Sequence, residues 1–579
     1  MTVFAMLSSC TTTSTFVANK FLFTSEDVRS ANYRVTTKTD SFTTNDGIKL
    51  VADIYHPEGL QKTPTILVRI PFSKTFSTQI RSSIIACYWA SRGYTVVLQG
   101  ARGRYKSGGK FYPLIHERED GIETLKWLTK QSWYDGRLAM WGGSAFGYTQ
   151  WAVADQTNPG AKTFFIQIAS TNFYKMFYPG KAFSLESAVY WAIRSHGEKD
   201  RDVNPKALDK GVNHLPIIES ADIAIGNTDF YNDWVNNTKE NEYWEKIDGI
   251  KRAENIQAPV LLMAGWFDPF LPTQLDDFKT ITTKAKASIA KETRLIVGPW
   301  GHAQSIKLPN SNKESPYRIA SVFPSIPWFD HQLGVTNFPL KMAKVRIFVM
   351  GINNWRDENE WPLARTKYIP FYLHSGGKAN TADGYGNIDI NISTDKSEYD
   401  TYTYDPSNPV PTAGGAVLDD RSGIKLQNKI EKRQDVLVYT SSALPEDLEV
   451  TGPLKAILYV STNTPSTDFT AKLVDVYPDG LAYNLSDGIL RQDYKRDNTT
   501  PTKIEIELWP TSNVFFKGHK IRLEVSSSNF PHYDRNPNTG EFMPTATKTK
   551  IANQTIFHSK QYPSQLILPI ISKTKEFGF

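Results

Sequence analysis

The chain has little cysteine: two residues, Cys10 and Cys87, in 579. A disulfide framework is excluded beyond a single bond, and so is a cysteine-based metal site. It has no uninterrupted apolar stretch of about 18 residues, so no helix is expected to span a membrane. It has almost no net charge either. The balance of 66 basic and 60 acidic residues gives +6, with no Lys/Arg block that would track phosphates, so nucleic acid is excluded as a partner. There is no H-E-x-x-H pair. The glycine-rich stretch Gly103-Arg104-Tyr105-Lys106-Ser107-Gly108-Gly109 lacks the G-K-[ST] ending of a phosphate loop. No cofactor and no metal is called for, and the expected partner is a small-molecule substrate.

What is present is aromatic and globular: 14 Trp, 27 Tyr and 31 Phe, with 40% hydrophobic residues. Such a chain can build large cores and an apolar cleft, and its length exceeds one domain. Cys87 follows Ile84-Ile85-Ala86 and reads as a buried thiol. Cys10 follows Leu7-Ser8-Ser9 and resembles a bacterial lipobox, although the apolar part from Val3 to Leu7 is short and no Lys or Arg precedes it. Two readings stay open there. In one, Cys10 carries a lipid anchor and the protein is a periplasmic or outer-membrane lipoprotein. In the other, residues 1–34 are a plain tail and the protein is cytoplasmic.

Asn45-Asp46-Gly47 between two strand-like runs predicts a hairpin. Ile66-Leu67-Val68, Thr95-Val96-Val97-Leu98 and Leu138-Ala139-Met140-Trp141 read as short buried strands. Residues 117–130 and 145–154 read as helices. Strands alternating with helices predict a mainly parallel sheet. Residues 156–255 show helical stretches and no obvious buried strand, so a helical cap inserted into the sheet is expected. Pro259-Val260-Leu261-Leu262-Met263 and Arg294-Leu295-Ile296-Val297 then resume it. From 345 the period becomes two, as in Ile504, Ile506 and Leu508 or Ile521, Leu523 and Val525, predicting a β-sandwich. The expected organisation is an α/β core from 35–155 and 256–344, a cap at 156–255 and an all-β unit at 345–579.

The strongest chemical signal is Trp141-Gly142-Gly143-Ser144-Ala145-Phe146-Gly147, a strand, a sharp turn and a helix. A serine at such a corner is held clear of the sheet, and the N–H of Ala145 is the natural first oxyanion donor. Phe146 stands where G-x-S-x-G wants its last glycine, and Gly147 comes one residue late. A serine nucleophile needs a base and a group to orient that base. Asp268 in Gly265-Trp266-Phe267-Asp268 and His302 in Gly298-Pro299-Trp300-Gly301-His302 each follow a predicted strand. Their order, Ser then Asp then His, is that of α/β-hydrolases. Asp276 and Asp277 read as exposed helix charges. His56, His116, His196, His214, His331, His374, His519, His532 and His558 read as surface or satisfied core residues.

These segments resemble the family of cocaine esterase, glutaryl-7-aminocephalosporanic acid acylase, α-amino acid ester hydrolase and X-prolyl dipeptidyl peptidase. The resemblance rests on DGIKLVADIYHP, LQGARGRYKSGG, GGSAFGYTQW, AGWFDPF and GPWGH, with DFTAKLVDVYPDG, LSDGILR and SSNFPHYDRNPNTG in the last third. It implies an α/β-hydrolase core, a helical cap, a C-terminal jelly roll and a Ser144-Asp268-His302 triad. It implies a serine hydrolase cleaving ester or acyl-amide bonds. X-Pro dipeptidyl-peptidase activity and a non-catalytic surface binding protein are the alternatives. Two departures matter. The tyrosine whose hydroxyl serves relatives as second oxyanion donor is replaced by Phe72, so a backbone N–H at Phe72 or Ser73 is expected to substitute. Residues 165–185, where relatives that hold an α-amino group place acid, contain no Asp or Glu. They contain Lys175 and Lys181, which would suit an anionic acyl group.

Overall fold

The computed structural model describes residues 29–571, except 74–75, 198–201, 310, 312–314, 395–397 and 495–499. Cys10 lies outside the described residues. Cys87 is half-buried rather than buried.

Ten strands form the first sheet: β1 (Val35–Thr43), β2 (Lys49–Pro57), β3 (Thr63–Ile70), β4 (Thr95–Gly100), β5 (Tyr134–Gly143), β6 (Thr163–Gln167), β7 (Val260–Gly265), β8 (Arg294–Gly298), β9 (Val345–Val349) and β10 (Asn354–Glu358). Their spatial order is β1-β2-β4-β3-β5-β6-β7-β8-β9-β10. The hairpin β1–β2 turns at Asn45-Asp46-Gly47 and pairs antiparallel with β4. From β4 to β9 every neighbouring pair is parallel, and β10 closes the sheet antiparallel. Every residue of β3, β4, β6 and β7 is buried, as a parallel sheet covered on both faces requires. Alternate residues serve alternate layers. Leu67, Met140, Ile166 and Leu262 pack with Tyr148, Trp151 and Phe278. Ile66, Val68, Phe165 and Leu261 pack with Trp89, Trp328 and Phe329.

Two boundaries differ from expectation. β6 lies inside the stretch read as cap, because its five residues, Thr163-Phe164-Phe165-Ile166-Gln167, are all buried and show no alternation to read. The sheet also runs past 344: β9 and β10 belong to it and not to the all-β unit. The inserted helices therefore run from Phe173 to Glu254. They are bound by an aromatic cluster in which Trp191 and Phe177 lie against Trp234, each with ring centroids 4.9 Å away.

The remaining strands, from Thr366–His374 to Gln565–Ile571, form an eleven-stranded sheet. Leu448–Thr462 pairs with Thr502–Phe515 on one edge and with Ala552–Phe557 and Gln565–Ile571 on the other. The sheet encloses a hydrophobic core that includes Leu454, Leu458, Ile506 and Leu523. The chain is thus an α/β-hydrolase-like unit followed by an all-β unit. Among the described residues no helix is long and apolar enough to cross a membrane.

Candidate active site

β5 runs directly into the helix Ala145–Trp151, with Ser144 at the corner. Ser144 has φ 56° and ψ −130°, a conformation that costs an L-residue energy and persists only where its surroundings enforce it. Its N–H donates to the Gln167 carbonyl of β6 at 2.9 Å. Two glycines make the corner fit. A Cβ on Gly142, which has φ +154°, would stand 2.4 Å from the Phe146 Cβ, and one on Gly147 would stand 2.6 Å from the Ala169 Cβ. The late glycine is thus the one that lets the helix lie against the segment after β6, and the Phe146 side chain is turned into the cleft.

Asp268 follows β7 and is fully buried. Its Oδ1 accepts from the Phe270 N–H at 2.7 Å and its Oδ2 faces His302 Nδ1 at 2.7 Å. Backbone bonds from Trp266 N–H to Gly298 O and from Phe267 N–H to Trp300 O, both 2.9 Å, tie the loop after β7 to the loop after β8. His302 Nε2 lies 2.8 Å from Ser144 Oγ. A carboxylate only accepts, so Nδ1 carries the hydrogen and Nε2 of the neutral ring is left to accept from the serine hydroxyl. The three side chains named from the sequence therefore meet in one hydrogen-bonded chain.

The serine opens into a cavity of about 640 Å³, a size that suits a small organic ligand. Its walls are largely aromatic: Phe72, Phe146, Phe173, Tyr190, Trp191 and Phe270. The Phe72 and Phe146 ring centroids are 5.2 Å apart. The Phe72 carbonyl accepts from the Tyr105 N–H at 3.1 Å, and the Ile70 carbonyl from the Ala101 N–H at 2.9 Å, which fixes this loop. The first bond of the helix Ala145–Trp151 is Tyr148 N–H to Ser144 O, so the Ala145 N–H precedes it.

Other residues fall elsewhere than expected. Lys175 pairs with Asp276 at 3.7 Å on the exterior, and neither Lys175 nor Lys181 lines the cavity. Among the described residues, the Lys or Arg side chain that does is Arg194. Acidic groups also reach the cavity although residues 165–185 hold none. Asp419 and Asp420 come from the all-β unit, a contribution no local motif announces. Asp277 is buried, not exposed. Its carboxylate accepts from the Thr171 N–H at 3.0 Å and the Thr171 hydroxyl at 2.5 Å. Burial pushes its pKa up to about 7 against the pull of those bonds.

Several of the remaining histidines hold structural partners. His56 bonds Thr95 and the Leu60 carbonyl, His519 bonds Asp475 and His558 bonds Asp400. Among the described residues no group of three or more His, Cys, Asp or Glu could hold a metal ion.

Two family models match the chain. That of the X-Pro dipeptidyl-peptidase (S15 family) covers residues 46–304, and that of the X-Pro dipeptidyl-peptidase C-terminal non-catalytic domain covers 339–567. The cocaine esterase of Rhodococcus sp. (strain MB1 Bresler) is 37% identical over 570 residues, which span 91% of this chain and 97% of that one. Among solved structures, an aminopeptidase from the marine sediment archaeon Thaumarchaeota archaeon superposes with a TM-score of 0.79 at 23% identity, covering 96% of this chain and 98% of that one. An α-amino acid ester hydrolase superposes with a TM-score of 0.78 at 20% identity, covering 95% and 98%. These two structural likenesses speak to the fold.

Proposed function

The chain belongs to the cocaine esterase and X-Pro dipeptidyl-peptidase (S15) family of serine hydrolases, and from that premise we propose that it cleaves ester or acyl-amide bonds through an acyl-enzyme on Ser144. The observation that carries this reading is the continuous chain from Ser144 Oγ through His302 to the buried Asp268 carboxylate.

His302 Nε2 takes the hydroxyl proton as Ser144 Oγ attacks the carbonyl carbon. Asp268 holds the ring in the tautomer with Nε2 free and stabilises the imidazolium that forms. The negative charge that develops on the carbonyl oxygen is met by the Ala145 N–H and by a second backbone N–H, that of Phe72. Phe72 suits this role because, among the described residues, its N–H makes no other hydrogen bond while its carbonyl is anchored. The bond to the leaving group then breaks as His302 returns the proton to it. Water, deprotonated by the same nitrogen, releases the acyl group as an acid and restores Ser144.

X-Pro dipeptidyl-peptidase activity is the second reading, favoured by the family match and by the Asp419 and Asp420 carboxylates on the same cavity. A fluorophosphonate probe tests the nucleophile. Wild type should label and Ser144→Ala should not. Absence of labelling in both would instead favour a non-catalytic binding protein. A panel of neutral esters, acyl amides and Ala-Pro p-nitroanilide, run on the same two proteins, separates hydrolase from dipeptidyl peptidase.

A further inference from the structure

The side chains that line the cavity come from two levels. Above the strand ends lie Phe173, Phe270 and the cap helix Leu185–Ser195 with Tyr190 and Trp191. Below them the cavity continues as a lower arm into the layer between the sheet and the helix Phe76–Ala90. Val68 of β3 and Leu98 of β4 are register partners there, and Trp141 follows the Leu67–Met140 pair of β3 and β5. The three therefore stand side by side on one face of the sheet. Ser82, Ile85 and Trp89 face them, spaced three, four and seven apart as one face of a helix is. Trp89 meets Trp141 edge to face, with ring centroids 5.2 Å apart, and these two indoles form the foot of the arm.

The arm offers hydrocarbon. The Trp89 indole N–H donates to Ser325 Oγ at 2.8 Å, and the Trp141 indole N–H donates to the Ser321 carbonyl at 2.9 Å. On the wall toward Tyr317, that residue's hydroxyl donates to Gln167 Oε1 at 3.2 Å, and the Gln167 amide donates to the Ser321 carbonyl at 2.8 Å. A polar ligand group placed here would leave water and find these partners already engaged, which costs free energy. An alkyl chain has no hydrogen bond to lose. Protein interiors are close-packed and keep few voids larger than a water molecule, so space of this extent beneath Ser144 calls for an occupant.

Ser144 stands three residues beyond Trp141, about 10 Å along a strand, which is the length of an extended chain of about eight carbons. The Phe72 N–H proposed for the oxyanion sits at the rim, two residues past the end of β3, whereas Val68 lies two residues before that end. The oxyanion and a chain in the arm therefore occupy different levels.

We propose that the lower arm is a binding site for an unbranched aliphatic chain of the substrate, reaching to the Trp89–Trp141 contact, so that the preferred esters are those of medium-chain fatty acids or medium-chain alcohols. This assignment rests on the hydrolase reading given above.

The test measures kcat/KM on p-nitrophenyl alkanoates from acetate to octanoate and on n-alkyl acetates from ethyl to octyl, by absorbance and by pH-stat. The first series lengthens the acyl side and the second the alkoxy side. In the series whose chain enters the arm, kcat/KM should rise by about two- to fourfold per methylene until the chain reaches about eight carbons. Ile85→Phe and Leu98→Phe fill the arm from its helix and sheet walls. In each, the ratio of the eight-carbon to the two-carbon ester should fall by about tenfold or more. Ile85 is half-buried on a helix, so its variant keeps the test open if the sheet variant does not fold. Hydrolysis of short esters with no gain along either series would overturn the assignment and leave the hydrolase reading intact. A gain that survives unchanged in the folded variants would overturn it equally. Hydrolysis of no ester in either series would sink the hydrolase reading, and this assignment with it.

Discussion

Ser144 is strained, and the strain is paid by neighbours that cannot move: the Gln167 carbonyl behind it and Phe146 and Ala169 beside it. The proposed oxyanion donors are tested at the same scale. The family resemblance implies a tyrosine hydroxyl as second donor where this chain has Phe72. Loss of one such donor costs about 10²–10³ in kcat. With the Phe72 N–H as second donor, Phe72→Tyr should change kcat by less than about threefold on a neutral p-nitrophenyl ester. A rise of about a hundredfold would show that the donor is missing.

Asp277 makes a separate prediction. Its folded pKa, about 7, lies above the ordinary carboxylate value. Its contribution to stability is therefore fully present below about pH 4 and is lost as pH rises through about 7. Asp277→Asn cannot ionise, so its thermal midpoint should gain on that of wild type between pH 4 and 7 and run parallel to it above. A constant difference across that range would refute the assignment.

At the scale of elements, the corner at Ser144 depends on how closely the helix Ala145–Trp151 approaches the chain after β6. Gly147→Ala would press a methyl into Ala169. Overpacking of this kind costs about 1–3 kcal/mol, and the helix can relieve it only by moving the corner that carries Ser144. The expected result is a lower thermal midpoint together with a kcat loss larger than any change in KM, read by calorimetry and steady-state kinetics. A loss confined to stability would mean that the corner is held independently of the helix. The cap helix Leu185–Ser195 has its own anchors, with Arg104 on its last carbonyls and Trp191 stacked on Trp234. Those contacts keep its inner face over the cavity.

For the whole molecule, the all-β unit is part of the site's support. The Trp509 indole N–H donates to the Asp268 carbonyl at 3.3 Å, and Asp419 and Asp420 line the cavity. The cap is joined to the same unit through Asp534. Its carboxylate accepts from the Phe183 N–H at 2.7 Å, and its own N–H donates to the Phe183 carbonyl at 2.8 Å. Arg491 holds that carboxylate at 2.9 Å and Asp468 at 2.7 Å, all three fully buried or nearly so. Removing one partner of a buried ion pair costs about 3–5 kcal/mol because the charge left behind is uncompensated. Arg491→Ala should therefore lower the denaturation midpoint strongly and loosen the cap. Protease cleavage within residues 173–254 should precede cleavage of the sheet. Unchanged resistance would show that the aromatic cluster alone holds the cap.

The alternation of short buried strands with helices, the corner around Ser144 and the two loop residues Asp268 and His302 were readable from the chain. Each depends on local order along it: a strand end, a turn, a helix start. β6 was not readable, since a run of three apolar residues, Phe164-Phe165-Ile166, without alternation fits a strand or a buried helix equally. Asp277 looked exposed because charge in a helix usually is. Only packing against Thr171 buries it. Lys175 and Lys181 were near Ser144 in sequence and proved not to line the cavity, whereas Arg194, Asp419 and Asp420 reach it from distant segments. The sequence by itself determined the corner at Ser144 and its two partners, on which the proposed chemistry rests, because these are built from local turns at strand ends. The tertiary structure decided what surrounds that chemistry. A cavity wall is assembled from whichever distant side chains the packing of cap and all-β unit brings to one place.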